Sequence, residues 1–357
     1  MTQATSTPWT MSSGYLKNSL YDNTLIFGVL LLALGSGFAV LLNPELFLVV
    51  LFADLWLLGY HHVLSTFSKL AGTKQDRQDN HFLIYKLPLL VIAAVSLLHY
   101  AFGGWIIVTI YFFWQWYHYS RQSYGISAFY RRKSGAKNSS TPFYLDYAAF
   151  WAIPIWGIVY RCSQGWETFI FQPFWTPNIS PWISEITGLI AGGILSLWFI
   201  TKLIDWSKGT LAFAPFAFSL SHHLAFYVGY ILIKDLTIGW LVANIWHNAQ
   251  YILFVWLFNQ MRFKDNEAKA SSPILHWISQ TNPLRILAYF AFFITASTLV
   301  YRSLDTGIKL ISGENTVAIT ALSVVIFQTI NFHHYIVDSK IWKARKKSHQ
   351  KILNINE

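Results

Sequence analysis

The chain has 357 residues, of which 54% are hydrophobic, 18% aromatic and only 12% charged, about half the charged share of an average soluble protein. That balance excludes an ordinary water-soluble globule and points to a polytopic membrane protein. The formal charge of +10 fits basic residues retained in cytoplasmic loops, with no nucleic-acid partner implied, and the lone Cys162 excludes an intrachain disulfide and any thiolate-held metal.

Residues 1–23 are polar, carry only Lys17 as a positive charge, and form an N-terminal cytoplasmic segment. The long apolar run that follows lacks a small-residue cleavage signal, so it is expected to remain as the first helix. Ten apolar segments approach or exceed the roughly 20 helical residues that a hydrocarbon core demands. They lie near 24–43, 46–67, 82–100, 104–122, 142–161, 184–204, 210–233, 238–258, 284–303 and 316–338. The expected fold class is therefore all-α, a polytopic membrane helical bundle of about ten transmembrane helices. A single transmembrane domain covers 24–338, and a basic cytoplasmic tail covers 339–357. Between the fifth and sixth segments, the loop 162–183 combines prolines with Trp166, Phe169, Phe171, Phe174, Trp175 and Trp182, an aromatic cap suited to the headgroup level.

Loop charges orient these spans. All of the 26 Lys and Arg residues except Arg161, Lys234, Arg302 and Lys309 fall on one side. By the positive-inside rule both termini are cytoplasmic. An integral protein of a bacterial inner (cytoplasmic) membrane, in contact with membrane lipids, is expected.

Eight of the twelve histidines lie inside predicted spans: His61, His62, His118, His222, His223, His247, His333 and His334. The charge-derived orientation puts His61, His62, His118, His333 and His334 near the cytoplasmic ends of their helices, and His222, His223 and His247 somewhat deeper. Polar neighbours accompany them at helical spacing. Asp54 stands two turns before His61, Asp338 four residues after His334, and Tyr251 four after His247, while Tyr227 follows His223. Ionisable groups in a membrane face the bundle interior and need partners there. Together these groups predict a shared polar pocket holding a metal through some of the eight histidines, with Asp54 and Asp338 as ligands or as orienters of ligating imidazoles. Adjacent residues diverge by about 100° on a helix, so one member of each His-His pair faces a given ion, and the spacing leaves open which. Imidazole-rich ligation without thiolate suits iron, mononuclear or dinuclear, with copper or zinc as alternatives.

Three families share pieces of this pattern. The membrane fatty-acid desaturases and hydroxylases resemble it in placing many histidines at the cytoplasmic ends of spans, although their H-x3-4-H and H-x2-3-H-H boxes are absent. Haem–copper oxidases resemble it in His222-His223-Leu224, in His247 followed by Tyr251 and in Phe332-His333-His334-Tyr335, but with the segments in reversed order. The chain is similar to the Brp/Blh-type carotene dioxygenases in His118-Tyr119-Ser120-Arg121 and in His333 with Asp338. That last resemblance implies an iron-dependent oxygenase acting on a lipid-soluble polyene, with His118 and His333 among the ligands.

The expected function is thus a membrane-bound, non-haem iron oxidoreductase or oxygenase on a lipid-soluble small molecule, its electron donor unknown. In it Tyr251 and Tyr227 hydrogen-bond the reactants or move protons. Arg121 anchors an anionic headgroup, pairs with Asp338, or snorkels to the interface. The alternative is a metal-ion or proton transporter that uses the same histidines as a relay.

Overall fold

The computed structural model describes residues 12–135 and 139–355; residues 1–11 of the N-terminal segment and the last two of the tail lie outside them. Among the described residues the secondary structure is all helical apart from one two-stranded hairpin. Its long helices are α1 (Ser19–Leu42), α2 (Pro44–Leu70), α3 (Phe82–Phe102), α4 (Gly104–Lys133), α5 (Phe143–Ser163), α6 (Pro181–Ser207), α7 (213–232), α8 (Leu236–Arg262), α9 (Pro283–Ser312) and α10 (Thr316–Ile341). Six of them, α1, α2, α3, α6, α9 and α10, are long and apolar enough to cross a membrane. These six turn large side chains such as Leu31, Leu48, Leu89, Leu189, Leu287 and Leu310 outward, the surface a hydrocarbon environment favours.

The other four also carry polar groups inward, as α2 does with Asp54 and His62 and α10 with His334 and Asp338. Helix α8 is buried almost all round, which a helix at the centre of a bundle requires. Its Asn244, His247, Asn248, Gln250 and Asn259 lower its hydropathy while facing protein on every side. Around it pack α1, α2, α4 and α7, and α10 closes the group against α2, α3, α4 and α9. Arg161, on the sparsely charged side of the sequence, is buried: its guanidinium donates to the carbonyl oxygens of Gly229, Ile233 and Lys234 at 2.6–2.9 Å. A cation there complements the unsatisfied carbonyls at the end of α7. At the same crossing, a Cβ on Gly239 would stand 2.2 Å from the Gly229 oxygen, so this approach of α7 and α8 requires glycine.

The loop between α5 and α6 only partly matches an interfacial cap. It folds into the hairpin Thr168–Phe169 and Gln172–Pro173 and drives Phe169 and Phe174 into the bundle against Phe112, at ring separations of 5.1 and 5.2 Å. Phe171, Trp175 and Trp182 stay outside.

At the opposite end both terminal segments fold onto the bundle. The Asp22 carboxylate is fully buried and accepts from the backbone amides of Leu16, Lys17 and Asn18 and from the Tyr130 hydroxyl, at 2.7–3.1 Å. After α10, a short helix Lys347–Ile352 buries His349, whose ring meets Phe258 and Trp342 and whose Nδ1–H donates to the Lys343 carbonyl oxygen at 3.0 Å. Lys133 then donates to the carbonyls of Leu353 and Asn354.

Burial first, and the nearby Lys69, Lys346 and Arg262 charges as well, push the His349 imidazole down to about 4. A detached tail would carry an ordinary imidazole of about 6.5 and take up its proton first. The contribution of this packing is therefore complete above pH 6.5 and is lost as the pH falls toward 4. Deuterium exchange of residues 343–355, corrected for intrinsic rates, should rise between pH 7 and pH 5, and His349→Leu should remove that dependence; an unchanged profile in the wild type would contradict it.

Candidate metal centre

Helix α2 brings the first ligand into place through a local irregularity. Residues Asp54–Gly59 form a π-helical turn, which inserts one residue and rotates everything after it by about 100°. By regular spacing Asp54 shares a face with His61. After the turn it is His62 that shares the α8-facing side with Asp54. The Asp54 carboxylate accepts from the side-chain amides of Asn244 and Asn248, and the His62 ring lies 4.7 Å from that of His247 and 4.2 Å from that of Tyr251, all on α8. His61 is turned toward α9, where it stacks on Phe293 and meets the edge of Phe290.

His118 from α4 and His334 and Asp338 from α10 complete the group. Each of His62, His118, His334 and Asp338 can offer one donor atom such that all four atoms lie within 4.8 Å of one another, and all four residues are buried. Nε2 of His62 and Nε2 of His334 are 2.7 Å apart, and Oδ2 of Asp338 is 3.6 Å from Nε2 of His334. Bonds of about 2.1 Å hold tetrahedral donors about 3.4 Å apart, so to share an ion the wider pairs would close and the Nε2 pair of His62 and His334 would open. His118 Nε2 and Asp338 Oδ2 are buried with no hydrogen-bond partner among the described residues. Buried polar atoms without a partner are costly unless a further group completes them, and His61, His222, His223 and His247 also leave one ring nitrogen so. The residues fit a metal ion: three imidazoles and a carboxylate could hold one.

A chain of hydrogen bonds supports the carboxylate side. The Tyr251 hydroxyl donates to Asp338 Oδ1 at 2.8 Å and accepts from Trp342 Nε1 at 2.9 Å. Thr66 Oγ1 lies 2.7 Å from the Tyr251 oxygen and 3.1 Å from His334 Nδ1. With the Tyr251 proton committed to Asp338, one consistent direction runs from His334 Nδ1–H to Thr66, from Thr66 to Tyr251, and from Tyr251 to Asp338. That direction leaves the lone pair of His334 on Nε2, the atom facing His62 and the open centre. The remaining hydrogen between His62 and His334 is what a cation would displace.

The other expected residues fall in different places. His247 belongs to the cluster by proximity: its ring is 4.9 Å from His118 and stacks on Tyr119 at 4.0 Å, although it offers no atom to the four-donor group. His222 donates from Nε2 to the Phe150 carbonyl and stacks on that ring, and His223 meets the edge of Trp198, so this pair sits in an aromatic site of its own. His333 donates to the Leu83 carbonyl at 2.8 Å, which leaves His334 as the member of its pair that faces the centre. Tyr227 is more than one-third exposed beside Trp156, away from the cluster. Arg121 makes no bond to Asp338 and lines a cavity with it. Thr66, Trp342, Tyr119 and Tyr335 were not singled out as site residues in the sequence. Thr66 is four residues after His62, a spacing that could have revealed it; nothing local marks Trp342, beyond the end of α10.

Two cavities flank the group. One of about 340 Å³ is bounded by His62, His247, His334 and Asn244 and reaches Phe169, Ile170 and Gln172 of the hairpin loop. Another of about 290 Å³ is bounded by His118, Tyr251 and Asp338 and opens toward Arg121 and Lys343 at the basic end. Tyr335, whose ring stacks on His118 at 4.3 Å, lines both.

No protein-family model, no curated protein and no solved structure matches the chain.

The geometry separates ligands from bystanders. His118→Ala and His334→Ala should each lose bound metal in elemental analysis of the purified protein, whereas His222→Ala and His333→Ala should retain it. Thr66→Val, which breaks the link between His334 and Tyr251, should weaken metal affinity by about 10- to 100-fold. Retained metal in both His118→Ala and His334→Ala would show that the ligands lie elsewhere.

Proposed function

We propose that the chain is a membrane-embedded oxidoreductase that holds non-haem iron and acts on a lipid-soluble substrate. The observation that supports this reading is the convergence of three imidazoles and one carboxylate, all buried, between two cavities lined chiefly by aromatic and aliphatic side chains. Three nitrogen donors and one oxygen donor without thiolate suit iron, copper or zinc. Iron is the choice that an apolar, redox-capable pocket favours, and when bound it supplies one-electron and dioxygen chemistry. His62, His118, His334 and Asp338 would hold it. Tyr251, Thr66 and Trp342 fix the orientation of the carboxylate and of the His334 ring. Val108, Tyr111, Phe169 and Tyr335 wall the larger cavity and keep bulk water from an apolar substrate.

The membrane arrangement belongs to the same proposal. All ten long helices span the bilayer, the six apolar ones facing lipid and α4, α5, α7 and α8 turning their polar groups inward. The N-terminal segment and the tail line one chamber at the end that holds Arg131, Arg132 and Lys343, which agrees with both termini on the cytoplasmic face of a bacterial inner membrane.

A transporter is the second reading, favoured by one feature: the two cavities approach the histidines from opposite ends of the bundle. The two readings differ in what purified protein does. The oxidoreductase reading predicts roughly one iron per chain, as one four-donor group implies, and no iron or zinc flux in proteoliposomes. Flux that disappears in His118→Ala would favour transport, and protein that binds zinc alone would remove the redox assignment.

A further inference from the structure

The basic end of the bundle holds a feature that the metal centre does not account for. A chamber of about 1540 Å³ opens there, lined by Arg121, Arg131, Arg132, Lys202, Lys343 and Arg345 among others. Its two carboxylates are already engaged. Asp146 pairs with Arg131 at 2.6 Å and Lys202 at 3.3 Å, and Asp205 accepts from Ser139, the Ser140 amide and Thr141. Arg121, Arg132, Lys343 and Arg345 are left without a carboxylate partner among the described residues. Burial, and then the charges of Arg121, Arg345, Lys340 and Lys346, hold the Lys343 ammonium below its usual range. An anion entering such a chamber relieves the repulsion of several groups at once.

The chamber is also joined to the metal group. Arg121, Gly125, Trp342, Lys343 and Ala344 line both it and the 290 Å³ cavity whose far wall is His118, Tyr251 and Asp338. The apolar part of that cavity's lining includes Ile126, Phe129, Phe254 and Ile336. Arg121 follows His118 by three residues, about 4.5 Å along the helix axis. The continuous space thus brings cations, apolar side chains and the candidate ligands His118 and Asp338 together.

We infer that the ligand of this site is a phosphate-bearing lipid, its head held by Arg121 and Lys343 in the basic chamber and its chain directed along the apolar cavity to the His118–Asp338 wall. This rests on the proposed metal site only for what happens at that wall; the head-binding chamber stands without it. Four unpaired cations, three of them arginines, match the several oxygens and more than one charge of a phosphate better than a single carboxylate. The head sets the depth of the chain, so the part of the lipid closest to the metal group lies within one or two helical turns of the phosphate, about 5–11 Å.

The test uses the full chain in a neutral, sugar-headed detergent with three probes: dodecyl phosphate below its micellar concentration, dodecanol and inorganic phosphate. Binding is read by calorimetry and by quenching of tryptophan, since Trp342 lines both spaces. Dodecyl phosphate should bind at least about 10-fold more tightly than either other probe, the discrimination that one well-placed charged contact provides. Arg121→Gln and Lys343→Gln should each lose about that factor while keeping the wild-type melting temperature and metal content. Should either variant melt early, Arg345→Gln, at an exposed position, supplies the same comparison. Equal binding of dodecanol would show that the cations contribute nothing, and equal binding of inorganic phosphate would make the chamber a site for free anions; either result overturns the inference, as does undiminished binding in the variants. Metal-free His118→Ala should still prefer dodecyl phosphate, so failure of the metal assignment and failure of this one are separately visible.

Discussion

A carboxylate or imidazole inside a bundle that excludes water must be answered by another polar group, and here the answering groups sit on helices distant in sequence. Helix α8 supplies most of them. Asn244 and Asn248 meet Asp54, Tyr251 meets Thr66 and Asp338, and Asn259 meets Ser68 and Tyr289. All three levels join α8 to α2, and two of them also reach α10 or α9. Each bond contributes about 1 kcal/mol net, but leaving either partner buried and unanswered costs about 1–3 kcal/mol. A slip of α2 against α8 by one residue would orphan all three levels together. The pairing therefore sets the register in which His62 meets His118 and His334, and the metal group depends on it.

The same constraint divides the helices. Six long helices contain a stretch apolar enough to cross a membrane. A helix that binds, orients or reacts must carry groups that lower its hydropathy, so α4 and α8, which bear His118, His247 and Tyr251, fall outside the apolar set. The division is incomplete: α2 and α10 are apolar enough to cross a membrane and still bear His62, His334 and Asp338.

Much of this was legible in the sequence and some was not, for physical reasons attached to particular residues. Apolar length and loop charge were enough to expect a helical bundle with histidines gathered toward one end. The choice between His61 and His62 was not legible, because the π turn at Asp54–Gly59 shifts the face by one residue and no periodicity reveals where a helix will take an extra residue. The choice between His333 and His334 depends on the Leu83 carbonyl, supplied from the start of another helix. His222 and His223 satisfied every local criterion for ligands, yet α7 turns them to Phe150 and Trp198, a fact of packing alone. The sequence marks the tail only as a basic cytoplasmic segment; its His349, Leu353 and Ile355 are buried and Trp342 half-buried where it packs on the bundle.

What emerges is a centre held from three sides and approached from two. The side toward the hairpin loop is closed by aromatic rings, the side toward the tail is edged with cations, and between them stand the only donors that converge among the described residues. The central claim is that His62, His118, His334 and Asp338 bind one ion. X-ray absorption of the purified protein tests it most directly: the account predicts an iron edge with scattering from about three imidazole rings and one light oxygen donor, as this donor set requires. An edge without imidazole scattering, or no metal edge at all, would contradict it.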